Sequence, residues 1–206
     1  RLVKEKESGA KESMRMMGMT DAPYWTSWFV HYTLINTVVS LAAWGVLCIN
    51  VVNYSTKGYL FCFFWLYGQA IFGQVVFLQA FFSQSKFAGI VATIIYFGAS
   101  LVNQFLGDVS VSRAKKVFAS IIPQAALQQG SIVFAQYECT GVGINDSTAN
   151  VIYQNYSFDT ALYMMAASFA VFLILGLYLD SVIPSKFGQS RHPCFCVMPS
   201  FWKCGR

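Results

Sequence analysis

Four stretches of this chain, at about 25–52, 59–82, 87–106 and 160–183, are apolar runs of twenty residues or more separated by polar turns. A helix rises about 1.5 Å per residue, so roughly twenty apolar residues cross a hydrocarbon core of about 30 Å. Four such runs exclude an ordinary water-soluble domain. The composition agrees: 56% of the 206 residues are hydrophobic and only 11% charged, too little polar surface to keep that apolar mass in water. The sequence therefore predicts an all-α membrane protein with four transmembrane helices. The formal charge of +5 is modest. Spread between apolar spans, it reads as orientation bias and attraction to anionic lipid, not as a nucleic-acid footprint.

Polar residues inside the spans predict how the helices meet. His31, Asn36 and Asn50 interrupt the first run, and His31, close to the entry, is read as interfacial. Gln69, Gln74 and Gln79 lie in the second. A spacing of five turns each by about 140° from the last, so the three cannot line one pore wall. Separate hydrogen bonds to different helices are the expectation. In the third run, Ala88 with Ala92 and Gly89 with Thr93 form small-xxx-small pairs that predict close helix packing.

The segment 117–137, VFASIIPQAALQQGSIVFAQY, is apolar but broken by Pro123, several glutamines and Gly130. As a straight span it is poor, and a re-entrant hairpin of two half-helices fits better, since broken backbone at membrane depth must be sheltered by protein. A polar loop at 138–159 follows, with Asn-x-Ser acceptor patterns at Asn145 and Asn155, the glycosylation candidates. With four spans and a dipping hairpin, Arg1, Lys4, Lys6, Lys11, Arg15, Lys86, Lys186, Arg191, Lys203 and Arg206 share one side. These are ten of the 14 Lys and Arg, as the positive-inside rule requires. The hairpin, Asn145 and Asn155 then fall on the luminal side.

Ahead of the first span, residues 1–23 read as a charged amphipathic helix and a span entry. Ala10, Met14 and Met17 recur at i, i+4, i+7. Glu7 stands four residues before Lys11, the favourable order for a helical ion pair. Gly18 is a stop signal, Asp21 a cap and Pro23 a first-turn proline, while Trp25 and Trp28 mark the membrane interface. The pattern alone leaves three readings: a helix lying on lipid, a solvated charged flank, or a docking helix whose Met-rich face enters a groove on another domain.

The stretch ESGAKESMRMMGM before a Trp-rich span resembles the coupling segment of the A-subfamily ABC transporters, large eukaryotic lipid exporters. Lys11, Glu12, Met14, Arg15, Met16 and Gly18 carry the likeness. The far end is similar to the family's exit from its last span: Leu177 to Pro184, with Asp180 ahead of the proline, then Phe187-Gly188, Arg191-His192-Pro193 and Ser200-Phe201-Trp202. Ser185-Lys186 departs from the glycine often found after that proline. The stretch from Lys116 to Ser120, through to Glu138-Cys139, resembles the family's external hairpin.

The resemblance implies that the whole chain, 1–206, is part of a transmembrane domain, spans three to six of one membrane half. Residues 1–23 would be coupling helix and span entry, 24–183 the spans with their hairpin and loop, and 184–206 a linker toward a nucleotide-binding domain. Ala10, Glu12, Met14, Arg15 and Met17 would contact that domain, which would bind ATP and Mg. The second membrane half would belong to the same polypeptide, and membrane lipids would be the substrate. The opening in mid-helix at Arg1, with neither an initiator Met nor a signal-peptide pattern, agrees with a piece of a longer chain.

Catalytic signals are lacking in the sequence. There is no G-x-x-x-x-G-K-[ST], so no P-loop, and neither H-E-x-x-H nor G-x-S-x-G occurs. Cys194 and Cys196 with His192 and Cys204 lack the second ligand pair of a zinc site, and read as ordinary thiols beside the membrane. No cofactor is expected in this segment. The rival reading is a channel- or receptor-like membrane protein without ATPase, which would draw on the polar residues inside the spans.

Overall fold

The computed structural model describes residues 2–50, 52–106 and 111–183; of Asn50, Val102 and Asn103 it describes the backbone alone. The expected linker at 184–206, with Cys194, Cys196, Cys204 and His192, lies outside the described residues. Eight helices follow in order among those described: α1 (Leu2–Glu7), α2 (Ala10–Met16), α3 (Asp21–Asn50), α4 (Lys57–Phe81), α5 (Ser85–Leu106), α6 (Arg113–Ala119), α7 (Pro123–Cys139) and α8 (Phe158–Val182). Four of them, α3, α4, α5 and α8, are long and apolar enough to cross a membrane. Each begins and ends within four residues of the run that predicted it.

Helix α4 is the axis of the bundle. It packs along α8 over most of its length and against α3 on another side. Two glycines allow the α4–α8 approach. A Cβ on Gly176 would stand 2.7 Å from the backbone nitrogen of Phe77, and one on Gly73 would stand 2.9 Å from the carbonyl oxygen of Phe169. Such contact depends on small residues, because lipid tails are as apolar as leucine and give helices no hydrophobic reason to associate. One of the two pairs expected to do this on α5 does not: Gly89 meets nothing within 4 Å, and Thr93 is exposed, its hydroxyl bonded back to the Gly89 carbonyl. Small size permits close packing, but a neighbour must be present to use it.

The glutamines behave as their spacing predicts. Gln69 Nε2 donates to Thr33 Oγ1 of α3 at 3.3 Å, Gln74 Oε1 accepts from Gln124 Nε2 of α7 at 2.9 Å, and Gln79 Nε2 donates to Asp180 Oδ1 of α8 at 3.3 Å. One helix thus ties itself to three neighbours in three directions. Asn36 adds a fourth tie, donating to the Trp65 carbonyl at 3.1 Å, while His31 is exposed, edge-on to Trp28.

The broken segment forms two helices, with the break at 120–122 and Pro123 in the first turn of α7, where its missing N–H costs nothing. This break sits well along the bundle. Ser168 Oγ donates to the Ile121 carbonyl at 2.8 Å, and Gln124 reaches Gln74 deep in α4. Phe63, Phe134, Phe158, Ala161 and Met165 close the core between α4, α7 and α8.

Candidate functional site

The N-terminal segment is two helices, not one. Gly9 adopts φ +70°, a left-handed conformation that stops α1 and restarts the chain as α2. The periodicity through Ala10, Met14 and Met17 concealed this break. Helix α2 ends as Gly18 predicts: with Gly18 at φ +94°, the Met19 N–H donates to the Met14 carbonyl at 3.1 Å and the Gly18 N–H to the Arg15 carbonyl at 3.0 Å. This is a Schellman motif, with Met14 and Met19 packed on the same apolar cluster.

The expected Glu7–Lys11 pair does not form, because the turn at Gly9 redirects both side chains to the bundle. Glu7 Oε2 accepts from the Ser85 N–H at 3.0 Å and from Ser85 Oγ at 2.6 Å, at the start of α5. Lys11 Nζ donates to Asp180 Oδ2 near the end of α8 and lies 5.2 Å from the ring centres of Tyr24 and Trp25. Lys6 Nζ stands 3.7 Å from Asp180 Oδ1 and donates to the Ala80 carbonyl of α4 at 3.3 Å. Glu5 Oε2 accepts from Tyr24 Oη at 3.0 Å and Trp28 Nε1 at 3.2 Å on α3. The two short helices are therefore fastened to all four long ones.

Asp180 is the centre of this clasp, its side chain only 6% exposed. A carboxylate withdrawn from water needs compensation, and here it receives two ammonium groups and the Gln79 amide. Burial pulls the pKa of Lys6 below the usual lysine value. Asp180 opposes that shift, and the neighbouring Lys11 adds to it. Asp180 is the one charged residue in the run 160–183, and a charge within a span implies a partner. That signal was readable, but nothing in the sequence says that the partners come from 169 and 174 residues earlier.

The residues singled out for coupling are divided by the fold. Ala10 and Met14 are half-buried, Met14 against the cluster of Leu2, Tyr24, Phe72 and Val76. Met17 is 79% exposed and Met16 82%. Glu12 and Arg15 face each other at 3.8 Å beside them. The outward surface of α2 is thus Met16, Met17 and Arg15, and its inward surface holds the segment to the bundle.

At the opposite end, Glu138 gathers the turn between α3 and α4. Its carboxylate accepts from the N–H groups of Asn53, Tyr54 and Ser55, and from Ser55 Oγ at 2.6 Å. Partial burial works to raise its pKa, but these donors together outweigh it and hold the carboxyl below the ordinary value. Asn145 is exposed, its Oδ1 accepting from Thr56 Oγ1 at 2.7 Å. Asn155 is exposed with φ +63°, its Nδ2 donating to the Val111 carbonyl at 3.2 Å. Both asparagines are carried at this end of the bundle. Among the described residues no group of His, Cys, Asp and Glu has the arrangement of a metal site.

Comparison with known proteins agrees with this architecture. The family model described as ABC-2 family transporter protein matches residues 1–178. Human ATP-binding cassette sub-family A member 2 is 26% identical over 211 residues, covering 98% of this chain and 9% of its own length. Mouse cholesterol transporter ABCA5 is 28% identical over 207 residues, covering 98% of this chain and 12% of its own. Human glucosylceramide transporter ABCA12 is 26% identical over 211 residues, covering 98% and 8%. The chain spans about a tenth of the length of these relatives.

Proposed function

The chain belongs to the ABC-2 transporter family as an integral, multi-pass membrane domain, and from that premise we propose that it is spans three to six of one half of an ATP-driven exporter that moves lipids between leaflets. Its partners would be a nucleotide-binding domain, which binds ATP and Mg, and a second membrane half, both in the same polypeptide. The similarity to curated lipid transporters over nearly the whole chain supports the substrate class.

The observation that carries the reading is the clasp. A segment fastened to α3, α4, α5 and α8 at once can deliver a push to every span together, and it leaves Met16 and Met17 bare on its outer side. The proposed contact with the ATPase domain comprises Ala10, Glu12, Met14, Arg15 and Met17. Met17 would meet that domain, Arg15 and Glu12 would form a polar rim, and Met14 and Ala10 would set the angle of α2. The rival channel reading draws on polar residues in the spans, but Gln69, Gln74 and Gln79 are committed to three different helices.

The test is lipid-stimulated ATPase of the full-length protein in vesicles. Truncating a buried contact residue commonly costs about 2 kcal/mol or more at a hot spot, over tenfold in a coupling equilibrium. Met17→Asp should keep nucleotide binding and lose stimulation; full stimulation would leave the segment as a lipid-surface anchor. The hairpin and its loop would lie on the luminal side, with Asn145 and Asn155 as glycan acceptors. A glycosidase-sensitive shift that survives in the Asn145→Gln, Asn155→Gln double variant and vanishes with Asn53→Gln would remove both asparagines as acceptors.

A further inference from the structure

Two opposite charges in the N-terminal segment stand four residues apart and do not meet. Glu7 reaches Ser85 of α5 and Lys11 reaches Asp180 of α8, because Gly9 between them is left-handed at φ +70°. Glu7 ahead of Lys11 is nevertheless the favourable order for an ion pair on one continuous helix. Glycine leaves both arrangements open, since it populates positive and negative φ about equally well. A right-handed Gly9 would join α1 and α2 into a single helix over 2–16.

The bend gives up helical hydrogen bonds that the joined helix would regain. The first N–H groups of α2, those of Ala10, Lys11 and Glu12, have no intrahelical acceptor, and no side chain caps them. In a continuous helix they would donate to the carbonyls of Lys6, Glu7 and Ser8, four positions back. What holds the bend is contact at a distance: Glu7 on Ser85, Lys11 on Asp180, and Met14 against its apolar cluster. That hold is light, for none of the seven residues of α2 is buried.

Straightening would strand no charge. Glu7 and Lys11 would pair with each other, while Asp180 would keep Lys6, 3.7 Å away, and the Gln79 amide. Gly18, left-handed at φ +94° just past α2, supplies a second pivot before α3. Hinges of this kind are a few residues at element ends that absorb the change in φ and ψ.

We propose that residues 2–16 are a two-position link: bent, with Glu7 on α5 and Lys11 on α8, or straight, with Glu7 and Lys11 on each other and both spans released together. The link works without nucleotide and does not rest on the transport reading. Residue-resolved hydrogen exchange on the full-length protein in phosphatidylcholine vesicles, with no nucleotide present, tests it. The Ser85 amide, which donates to Glu7 at 3.0 Å, reports the release of α5, and the amides of 10–12 report the joined helix. Gly9→Ala disfavours the left-handed bend and favours the helix, a shift of roughly tenfold in the equilibrium. Ser85 should then exchange roughly tenfold faster, while the amides of 10–12 exchange more slowly. A segment that merely loosens would speed Ser85 and 10–12 together. That outcome, or an unchanged Ser85, overturns the link. Asparagine tolerates the left-handed conformation, so Gly9→Asn should move both readouts less than Gly9→Ala does, and a larger effect of asparagine overturns it too. A second measurement needs no variant. Carbodiimide, a zero-length reagent that condenses a carboxylate with an ammonium it touches, should join Lys11 to Asp180 and also to Glu7 in the unaltered protein. A Lys11–Asp180 product without any Glu7–Lys11 product contradicts the straight position.

Discussion

Each end of the bundle is closed by a carboxylate in the last turn of a helix, Asp180 on α8 and Glu138 on α7. That is an unfavourable place for negative charge, because the helix dipole already points its negative end there. The two are compensated in different ways. Asp180 is held by the ammonium groups of Lys6 and Lys11, on long flexible stems from a separate segment. Glu138 is held by three consecutive backbone N–H groups and a hydroxyl, fixed by the turn that carries them. Ion pairing falls off gradually with distance and tolerates movement, whereas amide hydrogen bonds weaken steeply outside a narrow geometry. The contact at Asp180 therefore tolerates more displacement than the one at Glu138.

The largest expected effect breaks the first end alone. Asp180→Leu leaves two lysines without their counter-charge, and removing one partner of a buried pair costs about 3–5 kcal/mol. The lower figure applies, because Lys11 keeps some access to water. Hydrogen exchange on the full-length protein should show residues 2–17 losing protection while 53–55 keep theirs. A second change strikes the shaft that both ends share. Gly176→Ala forces a methyl group against the backbone of Val76 and Phe77, overpacking that costs about 1–3 kcal/mol. Both ends should then loosen together and thermal unfolding should come earlier. Gly89→Ala, which meets nothing, should leave the unfolding midpoint unchanged or slightly higher.

A smaller effect than that of Gly176→Ala belongs to the hairpin end. Glu138→Gln weakens the hold on the 53–55 turn by about 1–2 kcal/mol, read as faster amide exchange there and nowhere in 2–17. Its pH dependence has a definite sign. The folded pKa of Glu138 lies below the ordinary carboxylate value of 4.5, so its contribution is fully present above that value. It is lost only as the pH falls through the lower, folded pKa. Protection at 53–55 that disappears already between pH 7 and pH 5 would contradict this.

Hydropathy and spacing made much of this architecture legible. The four long helices coincide with the apolar runs, Pro123 marks the start of α7, and Gln69, Gln74 and Gln79 point to three neighbours as a step of five requires. What stayed hidden depends on contacts between distant parts of the chain. Gly9 looked like one more position in a helical period until its left-handed backbone turned Lys11 away from Glu7 and toward Asp180. Met14 and Met17 share a period but not a surroundings, because the apolar cluster that covers Met14 is assembled from α1, α3 and α4. Gly89 and Thr93 had the composition of a contact face without a neighbour.

The claim at the centre of this account is that the N-terminal segment acts on the spans through Asp180. A double-mutant cycle between Asp180 and Lys11, read as lipid-stimulated ATPase of the full-length protein in vesicles, tests it directly. Asp180→Asn and Lys11→Met should each reduce stimulation, and the double variant should be no worse than the more damaging single one, since both remove the same link. Losses that simply add, or a double variant that keeps full stimulation, would contradict it.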